Sequence, residues 1–185
     1  MSRPLPWPIL DERPALSTRV FDVHQVRARS PRTDREHKFV RLVAPDWLNV
    51  IPLTDDGQVI MVRQFRHGTR EVTLEIPGGM VDPGESPEDA AARELREETG
   101  YVCDHLQEIG RVHPNPALFD NTCYSYLARS TRRVGEITPD GSEDLGLELH
   151  PLADIPRLIR EGAITHALVI AAFHWLELSR TEAPR

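Results

Sequence analysis

A chain of 185 residues, 39% hydrophobic and 28% charged, is long enough to bury one core and too short for two unrelated ones. Its formal charge of −7 argues against broad nucleic-acid binding, which needs a basic surface to displace counterions. No stretch approaches the apolar length that crosses a bilayer, and residues 1–10, with Pro4, Pro6 and Pro8, lack the apolar run of a signal peptide. A soluble, cytoplasmic protein with neither nucleic-acid nor membrane partner is therefore expected. Cys103 and Cys123 have neither metal-site spacing nor the density of a disulfide scaffold, so two free thiols are expected.

In chain order, residues 19–27 alternate around Val20, Val23 and Val26 and read as a strand; residues 39–42 read as a second. The charged, turn-forming residues 30–36 read as the loop between them. Residues 48–53 and 59–65 flank Thr54-Asp55-Asp56-Gly57, whose Asp-Gly step predicts a hairpin. Residues 73–76 then run into the loop Pro77-Gly78-Gly79, and Asp82-Pro83-Gly84 marks another turn. The helix that follows is signalled at both ends: Ser86 as N-cap, Pro87 at the first position, Asp89 near the exposed N–H groups, and Gly100 as left-handed terminator. Ala91, Ala92 and Leu95 form its expected apolar face. Further on, residues 145–149 read as a strand and residues 154–160 and 165–178 as helices. The last carries an apolar stripe of Leu168, Ala171, Ala172, Trp175 and Leu176, with His166 and His174 structural or exposed.

Glu94, Glu97 and Glu98 project from one edge of the central helix, because residues three and four apart are neighbours there. Like charges at that spacing cost a few tenths, roughly, of a kcal/mol each in a free helix. The plain alternative is a solvated face on which Arg93 pairs with Glu97. Against it stands the fixed spacing to Gly78, Gly79 and Glu85, which can bring a backbone carbonyl and another carboxylate to the same edge. Hard oxygen donors of this kind suit Mg²⁺, with Mn²⁺ able to substitute.

Residues 79–101 read Gly-x5-Glu-x7-Arg-Glu-Leu-x-Glu-Glu-x-Gly-Tyr, and the chain resembles the Nudix hydrolases at every specified position of their signature. The resemblance implies an α/β/α sandwich with a mixed sheet and a loop-helix-loop catalytic motif that binds divalent cations and hydrolyses a nucleoside diphosphate linked to another group. Carried onto this sequence, it makes Glu94 and Glu98 the principal metal ligands, Glu97 a further ligand or a water-mediated contact, and the Gly78 carbonyl another ligand. Glu85 and Arg93 become an internal brace. Family members commonly supply the general base from a downstream loop; here that loop is Asp140-Gly-Ser-Glu-Asp144, with Glu143 favoured over Asp144 and Asp140, and Glu97 competing.

Outside the signature, Val62-Arg-Gln-Phe-Arg66, Leu74-Glu-Ile-Pro-Gly-Gly79 and Pro116, sixteen residues after Gly100, resemble the ADP-ribose and nucleoside-diphosphate-sugar pyrophosphatase branch. So do His113-Pro-Asn-Pro-Ala117 and Asn121-Thr-Cys-Tyr124. Two cysteines cannot supply the zinc quartet of the nicotinamide-dinucleotide branch, and the arginine motif of the coenzyme A branch is missing. The branch implies a small-molecule nucleoside diphosphate sugar as substrate and a homodimer joined through N-terminal strands, with residues 1–45 as a β extension and residues 46–185 as the hydrolase domain. Arg66 is then a phosphate or ribose contact, or else a solvent-facing strand end. Trp47, Trp7 and Phe39 are candidates to stack on a nucleobase, or else core. The rival class is a non-catalytic Nudix-like sensor of ADP-ribose or a sugar nucleotide.

Overall fold

The computed structural model describes residues 3–138 and 144–181. Along the chain its strands are β1 (Ile9–Ser17), β2 (Asp22–Arg29), β3 (Glu36–Val43), β4 (Trp47–Pro52), β5 (Gln58–Arg66), β6 (Glu71–Glu75), β7 (Tyr101–Val102), β8 (His105–Val112), β9 (Cys123–Arg129), β10 (Arg132–Arg133) and β11 (Leu145–Pro151). The helices are α1 (Pro87–Thr99), α2 (Ile155–Arg160) and α3 (Ala167–Thr181). Two compact units divide them: Met1–Pro45 with His113–Asn121, and Asp46–Val112 with Thr122–Arg185. Among the described residues no helix is long and apolar enough to cross a membrane.

In the first unit β1, β2 and β3 form an antiparallel sheet in that order. The sequence pattern misses β1, whose apolar residues are interrupted by Asp11, Glu12 and Arg13 and include Pro14. A proline without an N–H is tolerated there because β1 is an edge strand with one neighbour. Trp7 and Phe39 are both exposed, so neither fills a core.

The hairpin expected across Thr54–Gly57 is corrected by the pairing. Leu53 and Val59 make a single bridge, after which the two strands part: β4 runs parallel to β9, while β5 lies antiparallel between β11 and β6. The turn itself forms, with Gly57 at φ 80° donating its N–H to the Thr54 carbonyl at 3.0 Å. Long-range partners outweighed the local turn because β4 is buried along Leu48–Pro52, as a strand covered on both faces must be.

Alternation along β4 builds two cores. Leu48 and Val50 face α1, packing with Ala90, Ala91, Leu95, Tyr126 and Ala128. Ile51 and Leu53 share the other core with Leu127, Ile155, Leu158, Val169, Ala172, Phe173 and Leu176, from β9, α2 and α3. Helices thus cover both sides of the strands, the α/β/α arrangement expected of this unit. Two helix faces differ from expectation. On α1 the buried set is Ala90, Ala91, Leu95, Glu98 and Thr99, and Ala92 is exposed. On α3 the stripe is rotated to Val169, Ala172, Phe173 and Leu176. Apolar small residues occupy both sides of each helix, so only the neighbour across the gap decides which side goes inward.

One contact shows how closely α3 seats on β8. A Cβ added to Gly110, beside a register slip in β8, would lie 2.2 Å from the Trp175 ring. Gly110→Ala is accordingly expected to lower the unfolding free energy by about 1–3 kcal/mol through overpacking. A reduced urea midpoint at unchanged slope is the readout, and an unaltered midpoint would refute the contact.

Candidate active site

The helix carrying the acids is fixed at both ends. Ser86 Oγ accepts the Asp89 backbone N–H at 3.1 Å and donates its own proton to Asp89 Oδ2 at 2.7 Å. Gly100, at φ 74°, donates its N–H to the Arg96 carbonyl. The loop before the helix is tied to β4: the carbonyls of Pro77 and Gly79 accept from the backbone N–H groups of Val50 and Leu48 at 2.8 and 3.0 Å. The Gly78 carbonyl, lying between them, accepts no hydrogen bond from the described residues. Its N–H donates to Glu98 Oε2 at 2.9 Å.

Close approach to backbone requires glycine at position 78, and the Glu94 carboxylate lies against position 79. A Cβ on Gly78 would stand 2.4 Å from the Leu48 carbonyl oxygen, and one on Gly79 would stand 2.3 Å from Glu94 Oε1. At Gly78 the neighbour is the backbone of β4, which cannot give way, whereas at Gly79 it is the end of the Glu94 side chain.

Arg93 joins the acids. Its Nε and Nη2 donate to the two Glu85 oxygens, both at 3.0 Å; Nη2 also reaches the Met80 carbonyl at 3.1 Å. Nη1 donates to Glu94 Oε1 at 2.7 Å and to Glu97 Oε2 at 3.3 Å. Hydrogen bonding from Arg93 holds the Glu85 carboxyl below its ordinary range, and the same bond raises the guanidinium's pKa. Glu98 is buried, while the Glu97 side chain keeps 45% of its surface exposed and can turn. Among the described residues no three His, Cys, Asp or Glu side chains stand close enough together to hold a cation. The donor chemistry nevertheless suits one: the carboxylates of Glu94, Glu97 and Glu98 and the Gly78 carbonyl are all hard oxygens. Arg93 now satisfies two of those carboxylates.

A second network was hidden in the sequence. Arg66 forks onto Glu75, Nε to Oε1 and Nη2 to Oε2, both at 2.8 Å, so it is neither free at a strand end nor committed to solvent. Thr73 donates to Glu75 Oε1 at 2.6 Å, and His166 Nε2 stands 4.0 Å from Oε2. Burial pushes the Glu75 pKa up, but hydrogen bonds from Arg66 and Thr73 together with the Arg66 charge outweigh it, and the net shift is downward. Burial likewise lowers the pKa of His166. The one available signal for Glu75 was a charged residue inside the strand pattern Leu74-Glu75-Ile76.

Of the other candidates, Trp47 and Arg66 belong to the second unit, Phe39 and Pro116 to the first. Trp47 is half-buried, and Pro116 is exposed in a turn closed by N–H donation from Leu118 and Phe119 to the Asn115 carbonyl. Asp140 and Glu143 lie outside the described residues; Asp144 is exposed. Cys103 and Cys123 are both free thiols, and burial pushes the Cys123 pKa up to about 12, far from a reactive thiolate.

A buried carboxylate, two further acids held by one arginine and a glycine loop against one helix are the features of a Nudix-type diphosphate-bond hydrolase site. Residues 44–173 match the NUDIX domain, and the chain belongs to the Nudix hydrolase family. It is similar to the ADP-ribose pyrophosphatase of Bacillus subtilis (strain 168), 34% identical over 136 residues that cover 72% of this chain and 73% of the relative. It is also similar to the ADP compounds hydrolase NudE of Escherichia coli (strain K12), 27% identical over 183 residues, 96% of this chain and 97% of that one. These relatives put it in the ADP-ribose pyrophosphatase branch. The crystal structure of an ADP compounds hydrolase superposes with a TM-score of 0.86 at 23% identity over 99% of each chain, which establishes the fold. Nudix hydrolases generally use divalent metals.

Two outcomes are expected. Arg93→Ala leaves Glu85 and Glu94 without their cation and should cost about 1–3 kcal/mol. The loss of melting temperature should be larger in EDTA than with a millimolar divalent cation, and equal losses in both would argue that no cation enters this cluster. For Arg66→Ala the sign follows from Glu75: a lowered folded pKa gives stability that is full above the unfolded value and is lost as pH falls through the folded one. The variant should therefore be less stable by about 2–3 kcal/mol at neutral pH, Arg66 being partly exposed. The deficit should shrink below pH 4.5, the ordinary glutamate value; urea titrations at both pH values test this.

Proposed function

We propose that the chain hydrolyses the diphosphate bond of ADP-ribose or a related nucleoside diphosphate sugar in a Mg²⁺-dependent reaction, with Mn²⁺ able to replace Mg²⁺. Water and ADP-ribose give AMP and ribose 5-phosphate; a hexose derivative gives a nucleoside monophosphate and hexose 1-phosphate. The observation that carries this reading is the Gly78 carbonyl, which accepts no hydrogen bond from the described residues, beside the buried Glu98 carboxylate that its own N–H fixes. Nothing in folding alone requires a bare loop carbonyl there. The names of the relatives, an ADP-ribose pyrophosphatase and an ADP compounds hydrolase, support the substrate class.

In this reading Gly78, Glu94, Glu97 and Glu98 would hold the metal, which would supply positive charge against the diphosphate and a lowered pKa for water. Glu85 and Arg93 brace the helix through the Arg93 fork on Glu85, which does not depend on Glu94 or Glu97 and would persist with a cation bound. Glu143 takes the proton from the attacking water. Arg66 contacts phosphate or ribose while Glu75 fixes the plane of its guanidinium, and Trp47, Phe39 and Pro116 contact the nucleoside. The protein acts in the cytoplasm as a homodimer joined through the strands of residues 1–45, where Ile9, Leu16, Phe39 and Val40 expose apolar surface that a partner would cover.

The experiment is a panel of ADP-ribose, GDP-mannose, ADP-glucose and UDP-glucose at one Mg²⁺ concentration. At least one is expected to be turned over, and Glu98→Gln to lower that rate by roughly 100-fold or more, as loss of a metal ligand should. Glu143→Gln should keep substrate affinity and lose turnover by about 10²–10⁴-fold. Tight binding of ADP-ribose without product, with or without metal, would make the protein a sensor and defeat the proposal.

A further inference from the structure

His166 stands immediately before α3, and its carbonyl accepts the Ile170 N–H at 3.1 Å, the first bond of the helical ladder. Its ring Nδ1 lies 3.3 Å from the backbone N–H of Leu168, the second residue of the helix. These two bonds make His166 the N-cap of α3, with an imidazole nitrogen where a hydroxyl or carboxylate oxygen is the usual acceptor. A backbone N–H can only donate, so Nδ1 accepts and carries no proton. The neutral ring then holds its one proton on Nε2. That nitrogen is 4.0 Å from Glu75 Oε2, so the cap sets the tautomer and the tautomer turns a donor towards Glu75.

Glu75 is the carboxylate that Arg66 grips. Its Oε1 accepts from Arg66 Nε and the Thr73 hydroxyl, while Oε2, the oxygen that faces His166, accepts from Arg66 Nη2 at 2.8 Å. The first turn of α3 is fixed to the sheet, because the buried Asn49 donates its Nδ2 to the Leu168 carbonyl at 3.1 Å. His166 is thus carried by an anchored helix end rather than by a loose loop. The charged groups that act on the ring are Glu75 from β6 and Arg66 from β5; Asn49 from β4 is uncharged, and the first turn of α3 carries no acid. Burial holds the ring below its ordinary pKa of 6.5, so it is neutral at neutral pH. Protonation would fill Nδ1, break the cap and set positive charge at the helix N-terminus, where the dipole opposes it. The resulting cation would also compete with Arg66 for Oε2.

We propose that His166 is a positioning residue for substrate binding: held by the α3 cap with its proton on Nε2, it keeps Glu75 turned so that Arg66 retains one orientation towards the phosphate or ribose. At 4.0 Å its N–H acts as a dipole on a buried charge rather than as a direct hydrogen bond. Glu75 keeps only 3% of its side-chain surface exposed, so water screens that dipole little. The role rests on Arg66 meeting the substrate, and it makes the start of α3 part of the site although no residue there touches the reacting groups.

Asparagine reproduces the place of Nδ1 and glutamine that of Nε2, so two variants separate the cap from the contact. His166→Asn should keep the melting temperature of the parent and raise KM for ADP-ribose by about 2–10-fold, with kcat within about twofold. His166→Gln should lose melting temperature and keep KM. In the parent KM should rise as pH falls below 6.5 through the folded pKa of the ring, and that limb should be missing from His166→Asn. The Arg66 Nε–H resonance in proton–nitrogen NMR spectra without substrate, assigned by its loss in Arg66→Ala, reads the orientation independently of turnover. It should be sharp in the parent and in His166→Gln and broadened in His166→Asn. Either an unchanged resonance in His166→Asn, or a parental KM there while Arg66→Ala raises it, would overturn the proposal and leave His166 a cap alone; so would an Nδ1–H tautomer in the parent at alkaline pH. Were Arg66→Ala to leave KM unchanged, or no sugar nucleotide to be turned over, the reading of Arg66 or of the reaction would fail instead, and the resonance would still report whether His166 holds Arg66.

Discussion

Arg93 is the constraint on which the site depends. Three glutamates within reach of one another would repel, and the effect is strongest where water is partly excluded. One guanidinium spans Glu85, Glu94 and Glu97 and reaches the Met80 carbonyl as well, so the helix, the turn before it and the loop beyond are held by a single group. A lysine could not do this, because its point charge lacks the planar fork that faces several acceptors at once.

Around that group the backbone is as important as the side chains. Pro77 and Gly79 spend their carbonyls on β4, which turns the Gly78 carbonyl the other way, and the Gly78 N–H fixes Glu98. Because β4 is itself clamped between α1 and α3, the loop inherits the rigidity of the core. The Arg66–Glu75 fork adds an oriented guanidinium at the end of β5, with the carboxylate kept ionised inside the protein by two donors. Within the second unit, Glu75, Glu85 and Glu94 each meet an arginine that also fixes the direction of the carboxylate.

How far this was legible in the residues depended on the range of the signal. The limits of α1 were readable because capping is local: Ser86, Pro87, Asp89 and Gly100 act within one turn of chain. The thiols were readable from spacing alone. The hairpin at Thr54–Gly57 was misjudged because the turn chemistry was right while the strands found partners elsewhere in the chain, on β9 and β11. β1 was missed because an edge strand needs little apolar alternation and tolerates Pro14. The inward side of α1 and of α3 was only partly right, since Ala92 and Ala171 satisfy the same helical period as the residues that went inside.

The sequence by itself determined the helix, its caps, the crowding of acids along its edge and the family to which these belong, because each depends on neighbours a few residues apart. Tertiary structure alone decided that the Gly78 N–H would fix Glu98, that Glu75 would be buried under Arg66, and that Arg27 and Arg29 would both meet Glu36. Those outcomes turn on which strand lies beside which and which face it presents. A chain's local propensities do not encode pairing across tens of residues; burial and hydrogen bonding in the assembled sheets do.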